Sequence, residues 1–189
     1  MPYRINPSYA NQYYHVYNRG NNQEKIFFEV KNYFYFLKII KEKFFNSIDL
    51  IAYCLMPNHY HLVVLNKKEG SLEKAMQKIS TGYTRAINKA YDRTGHLFTG
   101  RYKSKLIPED NYLIHLCRYI HLNPVRAGLV NELEEWEFSS YKNYLLQSNS
   151  DNINTSILFE FFKTRKGLIE FHKSFQENQN YFIKDLLLY

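Results

Sequence analysis

Residues 49–65 read DLIAYCLMPNHYHLVVL, two apolar runs separated by a proline and an asparagine. The runs at 49–56 and 60–65 are rich in residues that favour strands. Pro57 and Asn58 between them are typical turn residues. The stretch therefore predicts two consecutive strands joined by a tight turn.

The segments on either side of these two strands predict an α+β fold. Residue periodicity predicts strands at 13–18 and 98–107, and helices at 30–45, at 72–91 and after Pro108. Ser71 is the expected N-cap of the second helix, and the third helix is expected to end near Asn123, because Pro124 disfavours helical geometry in the residue before it. This order of elements predicts a ferredoxin-like or RRM-like antiparallel sheet with helices on one side.

The chain is expected to consist of one main domain and a short appendage. The polar stretch QSNSDNINT at 147–155 has the composition of a linker. It separates a domain at 1–146 from a tail at 156–189, whose apolar residues have helical spacing. We expect this tail to pack on the main domain rather than on a ligand.

Composition narrows the class of protein. Hydrophobic residues make up 45% and aromatic residues 17% of the 189 residues, which excludes a disordered chain. The 25 Lys and Arg residues against 18 Asp and Glu give a formal charge of +7, which favours a polyanionic partner such as nucleic acid. The two cysteines lie in apolar runs, as expected in a reducing compartment. No signal peptide and no apolar run long enough to span a bilayer is present, so the expected location is the cytoplasm.

His59 and His61 flank Tyr60 at the start of the strand at 60–65. Alternate side chains of a strand share a face, so the two imidazoles point the same way and Tyr60 points the other way. Such a pair can bind a metal ion together with one further ligand. The alternative is two structural histidines that only satisfy backbone groups, and the HxH spacing alone does not exclude it.

The helix after Pro108 carries three polar residues spaced four apart, namely His115, Tyr119 and Asn123. Residues with this spacing lie along one stripe of a helix. Tyr119 at that position is either a packing residue or a nucleophile, and a phenol needs a cation or a polarised phosphate to act as one. Asn123 could supply an oxygen ligand to the same metal ion as the two histidines.

Basic residues alternate along RYKSK, so Arg101, Lys103 and Lys105 are expected on one face of a strand. A row of this kind can follow a phosphodiester backbone. Lysines also protect solvated edge strands against aggregation, and the sequence alone leaves both interpretations open.

Five blocks in order, VYNRGNN, AYCLMPNHYHLVVL, GYTRAINKAYDRTGHLFTGRYKSKLI, RYIHLNPVRAGLV and WEFSSY, resemble the REP-associated tyrosine transposases of the HUH single-tyrosine transposase superfamily. The resemblance covers about residues 13–145 and implies an HUH endonuclease fold. It implies that His59 and His61 bind Mg²⁺ or Mn²⁺, that Tyr119 attacks a DNA phosphodiester, and that Asn123 is the amide ligand.

The implied activity is cleavage and rejoining of single-stranded, hairpin-containing DNA through a 5′-phosphotyrosine, with Arg101, Lys103 and Lys105 on the DNA backbone. The family contains monomers and dimers, so a homodimer stays open. A protein that keeps the fold and binds hairpin DNA without cutting it is the main alternative, since fold does not fix function. An RRM-like RNA-binding module would leave His59 and His61 unexplained and lacks the expected aromatic pattern.

Overall fold

The computed structural model describes residues 7–146 and 153–174. Within these residues the chain forms four strands and six α-helices. In chain order they are β1 (Gln12–Arg19), α1 (Val30–Phe44), β2 (Ile48–Met56), β3 (His59–Asn66), α2 (Ser71–Ala90), β4 (Lys103–Ile107), α3 (Asp110–Arg126), α4 (Tyr141–Leu146), α5 (Ser156–Phe162) and α6 (Arg165–Lys173).

The four strands form one antiparallel sheet in the order β2-β3-β1-β4. With α1 between β1 and β2 and α2 between β3 and β4, this is the ferredoxin-like arrangement. The predicted α+β class and antiparallel sheet are confirmed. The chain places its two central strands, β1 and β3, side by side, so a residue near the end of β1 lies next to one at the start of β3.

Helices cover both faces of the sheet, whereas the sequence led us to expect them on one. Tyr60 of β3 is fully buried against Phe36 of α1, with ring centroids 5.0 Å apart. His61, the next residue, points to the other face and contacts Tyr119 of α3. The second helical layer exists because β2 is apolar at almost every position, and both of its faces are buried.

The fourth strand begins at Lys103, so the predicted start at residue 98 is wrong. Residues 98–102 instead form a loop across the end of β1. The Thr99 amide donates to the Arg19 carbonyl, and the Asn18 side chain donates to the Gly100 carbonyl. Strand alternation therefore relates Lys103 to Lys105 but does not extend to Arg101.

Helix α3 continues through Pro124 to Arg126, three residues beyond the predicted end at Asn123. A proline in a helix removes one backbone donor. Pro124 lies in the last turn of the helix, so a single donor is lost near its end. The Ala127 amide still donates to the Asn123 carbonyl. Gly128, with a positive φ of 66°, then ends the helix.

The predicted N-cap of α2 is also wrong by one residue. Gly70 occupies that position with a φ of 67°, and Ser71 is the first helical residue. The Ser71 hydroxyl donates to the side chain of Asn66 at the end of β3 instead of capping its own helix. A left-handed backbone favours glycine here.

Gly20 lies where three segments meet behind the start of β3. Its amide donates to the Asn58 carbonyl over 2.7 Å, and its carbonyl accepts from the Thr99 hydroxyl over 2.9 Å. A Cβ atom built on Gly20 would lie 2.0 Å from the carbonyl oxygen of Glu24. No side chain fits at this position without displacing backbone.

Most of the predicted linker, residues 147–152, and the end of the predicted tail, residues 175–189, lie outside the described residues. The described part of the tail contains α5 and α6, and α6 packs on α3. The guanidinium carbon of Arg118 lies 4.1 Å from the ring centroid of Phe171, and its Nη1 donates to the Phe171 carbonyl. Among the described residues, no helix combines the length and the apolar character needed to cross a membrane.

A buried chain of hydrogen bonds also joins α6 to α3. The Leu168 carbonyl accepts from Nδ1 of His172, so His172 Nε2 accepts from Nδ1 of His121, over 2.9 Å in each case. His121 Nε2 in turn accepts from the Ser140 hydroxyl at 2.7 Å. Burial lowers the pKa of His172 to about 4 and that of His121 well below its ordinary value, so both are neutral.

We predict that His172→Gln reduces the dependence of stability on pH. Unfolded His172 binds a proton near its ordinary pKa of 6.5, whereas folded His172 does so only near 4. The wild type therefore loses up to about 1.4 kcal/mol per pH unit from this residue as pH falls from 6.5 towards 4. Glutamine does not titrate, so urea unfolding at about pH 7.5 and about pH 5 should show a smaller loss in the variant.

The matched control is His96→Gln at an exposed position, which should keep the wild-type pH dependence. If His172→Gln and the wild type lose the same free energy of unfolding between the two pH values, His172 is not a buried neutral group in solution.

Candidate functional site

One face of the sheet carries histidine, arginine and lysine side chains in neighbouring rows. His61 of β3 pairs directly with Tyr17 of β1, and Tyr17 pairs with Lys103 of β4. In the next row His59 pairs with Arg19. Directly paired residues project from the same face, and Lys103 lies two strand spacings, about 10 Å, from His61.

The rings of His59 and His61 lie together, with centroids 5.1 Å apart and planes nearly perpendicular. Nδ1 of His59 is 2.7 Å from Oδ1 of Asn58, and Nδ1 of His61 is 2.9 Å from Nε2 of His15. Each ring thus uses Nδ1 for a hydrogen bond within the protein. Nε2 is the nitrogen on the opposite side of each ring.

Both histidines are neutral at pH 7. Burial, with the positive charge of Arg19, lowers the pKa of His59 to about 4. Burial, with the neighbouring His15 and His59, lowers the pKa of His61 well below its ordinary value. A histidine must be neutral to bind a metal ion, so the fold prepares both side chains for that role.

Tyr119 on α3 is the side chain that the second helical layer brings to this face. Its ring meets that of His61 edge to face, with centroids 6.4 Å apart. The guanidinium of Arg126, two turns further along α3, lies 5.2 Å from the centroid of the Tyr119 ring. The phenol therefore stands between an imidazole on the sheet and a cation on its own helix.

Asn123 lies one turn after Tyr119 on α3, on the predicted stripe. Its Nδ2 atom is buried and has no hydrogen-bond partner among the described residues. A buried amide donor without a partner is costly, and it is the oxygen of the same amide that can bind a cation. His115, the third residue of the predicted stripe, instead uses Nδ1 to contact Nη2 of Arg118 at 2.9 Å, on the side of the tail.

The described residues contain no group of three His, Cys, Asp or Glu side chains that could bind a metal ion. In the described part of the chain, no third side chain of these types joins His59 and His61 in such a group. Any further protein ligand must be of another type, and the amide of Asn123 is of that type.

The three predicted DNA-binding residues lie beside these rows. Lys103 and Lys105 are on β4, opposite Tyr17 and His15, and Arg101 precedes the strand. A cavity of about 190 Å³ opens between the end of β1 and this segment. It is lined by Tyr17, Asn18, Arg19, Thr99, Gly100, Arg101 and Lys103.

His15 and Arg126 were not found from the sequence. His15 shares the alternation of Tyr17 on β1, but its contact with His61 depends on the pairing of β1 with β3. Arg126 lies beyond Pro124, where the helix was expected to have ended. A spacing of seven residues from Tyr119 was the available signal, since it equals about two helical turns.

Comparison with known proteins gives a family. Residues 8–123, more than half of the chain, match the sequence model of the family described as Transposase IS200 like. A Haemophilus influenzae protein assigned as a REP-associated tyrosine transposase is 26% identical over 103 residues, which are 49% of this chain and 58% of that protein. The Escherichia coli REP-associated tyrosine transposase is 24% identical over 104 residues, 54% of this chain and 60% of that protein.

The chain thus spans about three-fifths of the length of these relatives. A solved REP-associated tyrosine transposase bound to a REP hairpin shares the fold, with a TM-score of 0.62 and 18% identity, over 78% of this chain and 86% of that one. The family resemblance seen in the sequence blocks is confirmed. The chain belongs to the Transposase IS200 like family.

Proposed function

We propose that this protein cleaves and rejoins single-stranded, hairpin-containing DNA through a 5′-phosphotyrosine formed on Tyr119. The observation that carries the proposal is the edge-to-face contact of Tyr119 with His61, 6.4 Å between centroids, beside the second imidazole of His59. In this proposal Tyr119 is the nucleophile, and the two neutral histidines beside it are the metal ligands. Family membership supports the same chemistry.

A divalent metal ion fits the residues present. His59 and His61 would bind it through Nε2, the nitrogen opposite the hydrogen bonds to Asn58 and His15. Asn123, one turn after Tyr119 on α3, would be the third protein ligand through its amide oxygen. Two imidazoles suit Mn²⁺ better than Mg²⁺, although Mg²⁺ is the more available ion in the cell. When bound, the ion supplies positive charge and orientation for the scissile phosphate.

The side chains of the protein then account for the bond changes. Tyr119 Oη attacks the phosphorus and loses its proton, while the bond from phosphorus to the 3′ oxygen breaks. The departing 3′ oxygen takes up a proton and becomes the 3′-hydroxyl. Arg126 above the Tyr119 ring favours the negative charge that develops on the phenol oxygen. The new phosphotyrosine keeps a phosphodiester linkage, so the 3′-hydroxyl of another strand can reverse the step without ATP.

Basic residues next to the site are proposed to bind the DNA backbone. Lys103 and Lys105 extend from the same face as His61, and Arg101 lines the cavity with Arg19. The relative solved with a REP hairpin supports hairpin DNA as the substrate class. Since His59, His61 and Tyr119 come from one chain, the proposal does not require a homodimer. The expected location of the protein is the cytoplasm.

We predict that Tyr119→Phe abolishes a covalent protein–DNA adduct and leaves hairpin binding unchanged. The variant lacks only the attacking hydroxyl. Labelled hairpin oligonucleotides with single-stranded flanks are incubated with Mn²⁺, and the adduct is detected on a denaturing gel. Binding is measured separately by gel shift.

Tyr112→Phe is the matched control, because Tyr112 lies seven residues earlier on the same side of α3. It should form the adduct normally. An adduct lost in Tyr112→Phe and kept in Tyr119→Phe would identify Tyr112 as the nucleophile. Tight binding by the wild type with no adduct across a broad oligonucleotide pool would favour a protein that binds hairpin DNA without cutting it.

We predict that His59→Ala lowers the rate of adduct formation by at least about 100-fold and makes the remaining activity depend on much higher Mn²⁺. The variant removes one of two imidazole ligands. The rate is measured over a Mn²⁺ titration. His96→Ala at an exposed position is the control and should match the wild type. A normal Mn²⁺ dependence in His59→Ala would exclude His59 as a ligand.

We predict that Lys103→Ala and Lys105→Ala each weaken hairpin binding and lower the slope of log affinity against log salt by about 0.7 to 0.9. Each lysine neutralises one phosphate in the proposal. Lys78→Ala, exposed on α2 in the layer over the other face of the sheet, should leave the slope unchanged. An unchanged slope in the Lys103→Ala, Lys105→Ala double variant would contradict DNA contact by β4.

A further inference from the structure

His15 is the second buried histidine of the site. The inference about its role rests on the metal site proposed above. His15 lies in the middle of β1 with 0% exposure, and His61 beside it has 3%. Nε2 of His15 is 2.9 Å from Nδ1 of His61, and the rings stack with centroids 5.1 Å apart at 18°. The two side chains thus share one hydrogen atom between two ring nitrogens.

The place of that hydrogen decides whether His61 can bind a metal ion. A neutral imidazole carries one N–H, on either Nδ1 or Nε2. If the shared hydrogen belongs to His61 Nδ1, then His61 Nε2 keeps its lone pair. If it belongs to His15 Nε2, then His61 carries its own hydrogen on Nε2, and that nitrogen cannot be a ligand.

We propose that His15 is a positioning residue that accepts the Nδ1 hydrogen of His61 and so holds His61 in the tautomer whose Nε2 lone pair binds a divalent metal ion. Metal-binding histidines generally donate their other ring hydrogen to a protein acceptor. Here the acceptor is a second imidazole.

Asn58 performs the corresponding task for His59. Its Nδ2 donates to the Gln23 carbonyl, which turns Oδ1 towards His59. A carbonyl oxygen only accepts, so His59 carries its hydrogen on Nδ1. With His15 as the acceptor for His61, both ligands present Nε2 in the same state.

The free-energy cost of burying an unpaired ring nitrogen of His15 argues against a purely structural role for this residue. Its Nδ1 is buried without a hydrogen-bond partner among the described residues, and this holds in either tautomer. The other buried pair, His121 with His172, has no such defect, because the Leu168 carbonyl completes it. An apolar side chain at position 15 would pack on the sheet without an unpaired polar atom, so the histidine is explained by what it does to His61.

The proposal is tested by Mn²⁺ binding to the metal-free protein, measured by calorimetry at about pH 7.5. We expect His15→Leu to raise the Kd for Mn²⁺ by about 10- to 100-fold, and His15→Gln, whose amide oxygen can accept the hydrogen, to restore most of the affinity. His172→Gln disrupts the other buried histidine pair and should leave the Kd unchanged. Circular dichroism checks that each variant is folded.

A second measurement does not depend on a variant. Nitrogen NMR of the wild type with Mg²⁺ should show the hydrogen of His61 on Nδ1. The hydrogen on Nε2 in the Mg²⁺-bound protein, or a folded His15→Leu with the wild-type Kd, would overturn the role of His15 alone. A wild type that binds neither ion would overturn the proposed metal site, and the role of His15 with it.

Discussion

Side chains alternate along β3, and the rest of the candidate site depends on that alternation. Tyr60 is committed to the core under α1 and α2, which forces His59 and His61 to the other face. His61 is buried on that face and His59 is half-buried. Helix α3 covers this face with Tyr119, so the same strand that anchors the core also presents the two histidines proposed as metal ligands.

The two buried histidine pairs show how similar chemistry serves different ends. In the pair that joins the tail to α3, His121 with His172, every ring nitrogen has a hydrogen-bond partner, and Leu168 and Ser140 supply the outer two. These partners fix a single tautomer for each ring. The pair on the sheet, His15 with His61, is open at His15 Nδ1. A satisfied buried network favours one structure, whereas a buried polar atom without a partner is a cost that needs an explanation.

Local patterns predicted the parts of the fold that local forces determine. Both strands around Pro57 and Asn58 were predicted to within one residue at each end, because their residues fit strands and their turn has its own chemistry. The wrong element boundaries lie where contacts with distant segments, or the position within a helix, determine the backbone conformation. Residues 98–102 pair with the end of β1 rather than extend β4, and α3 passes Pro124 because one lost donor is a small cost near a helix end.

The candidate site divides in the same way. Strand alternation placed His59 and His61 on one face, and helical spacing placed Tyr119 and Asn123 on one stripe, but neither pattern could bring the two groups together. The contact of Tyr119 with His61 depends on α3 crossing the face opposite α1 and α2. The contact of His15 with His61 depends on the register between β1 and β3, because the two histidines are 46 positions apart in the chain.

Gly20 gives the site a dependence that its chemistry does not reveal. Its backbone bonds to Asn58, whose side chain in turn orients His59, and there is no room for a Cβ atom beside Glu24. A saturation mutagenesis screen scored on the proposed activity would therefore rank Gly20 with Tyr119, His59 and His61, although Gly20 has no side chain that could react or bind an ion. Positions that tolerate no substitution in such a screen would therefore include backbone positions that orient His59, in addition to the residues that react.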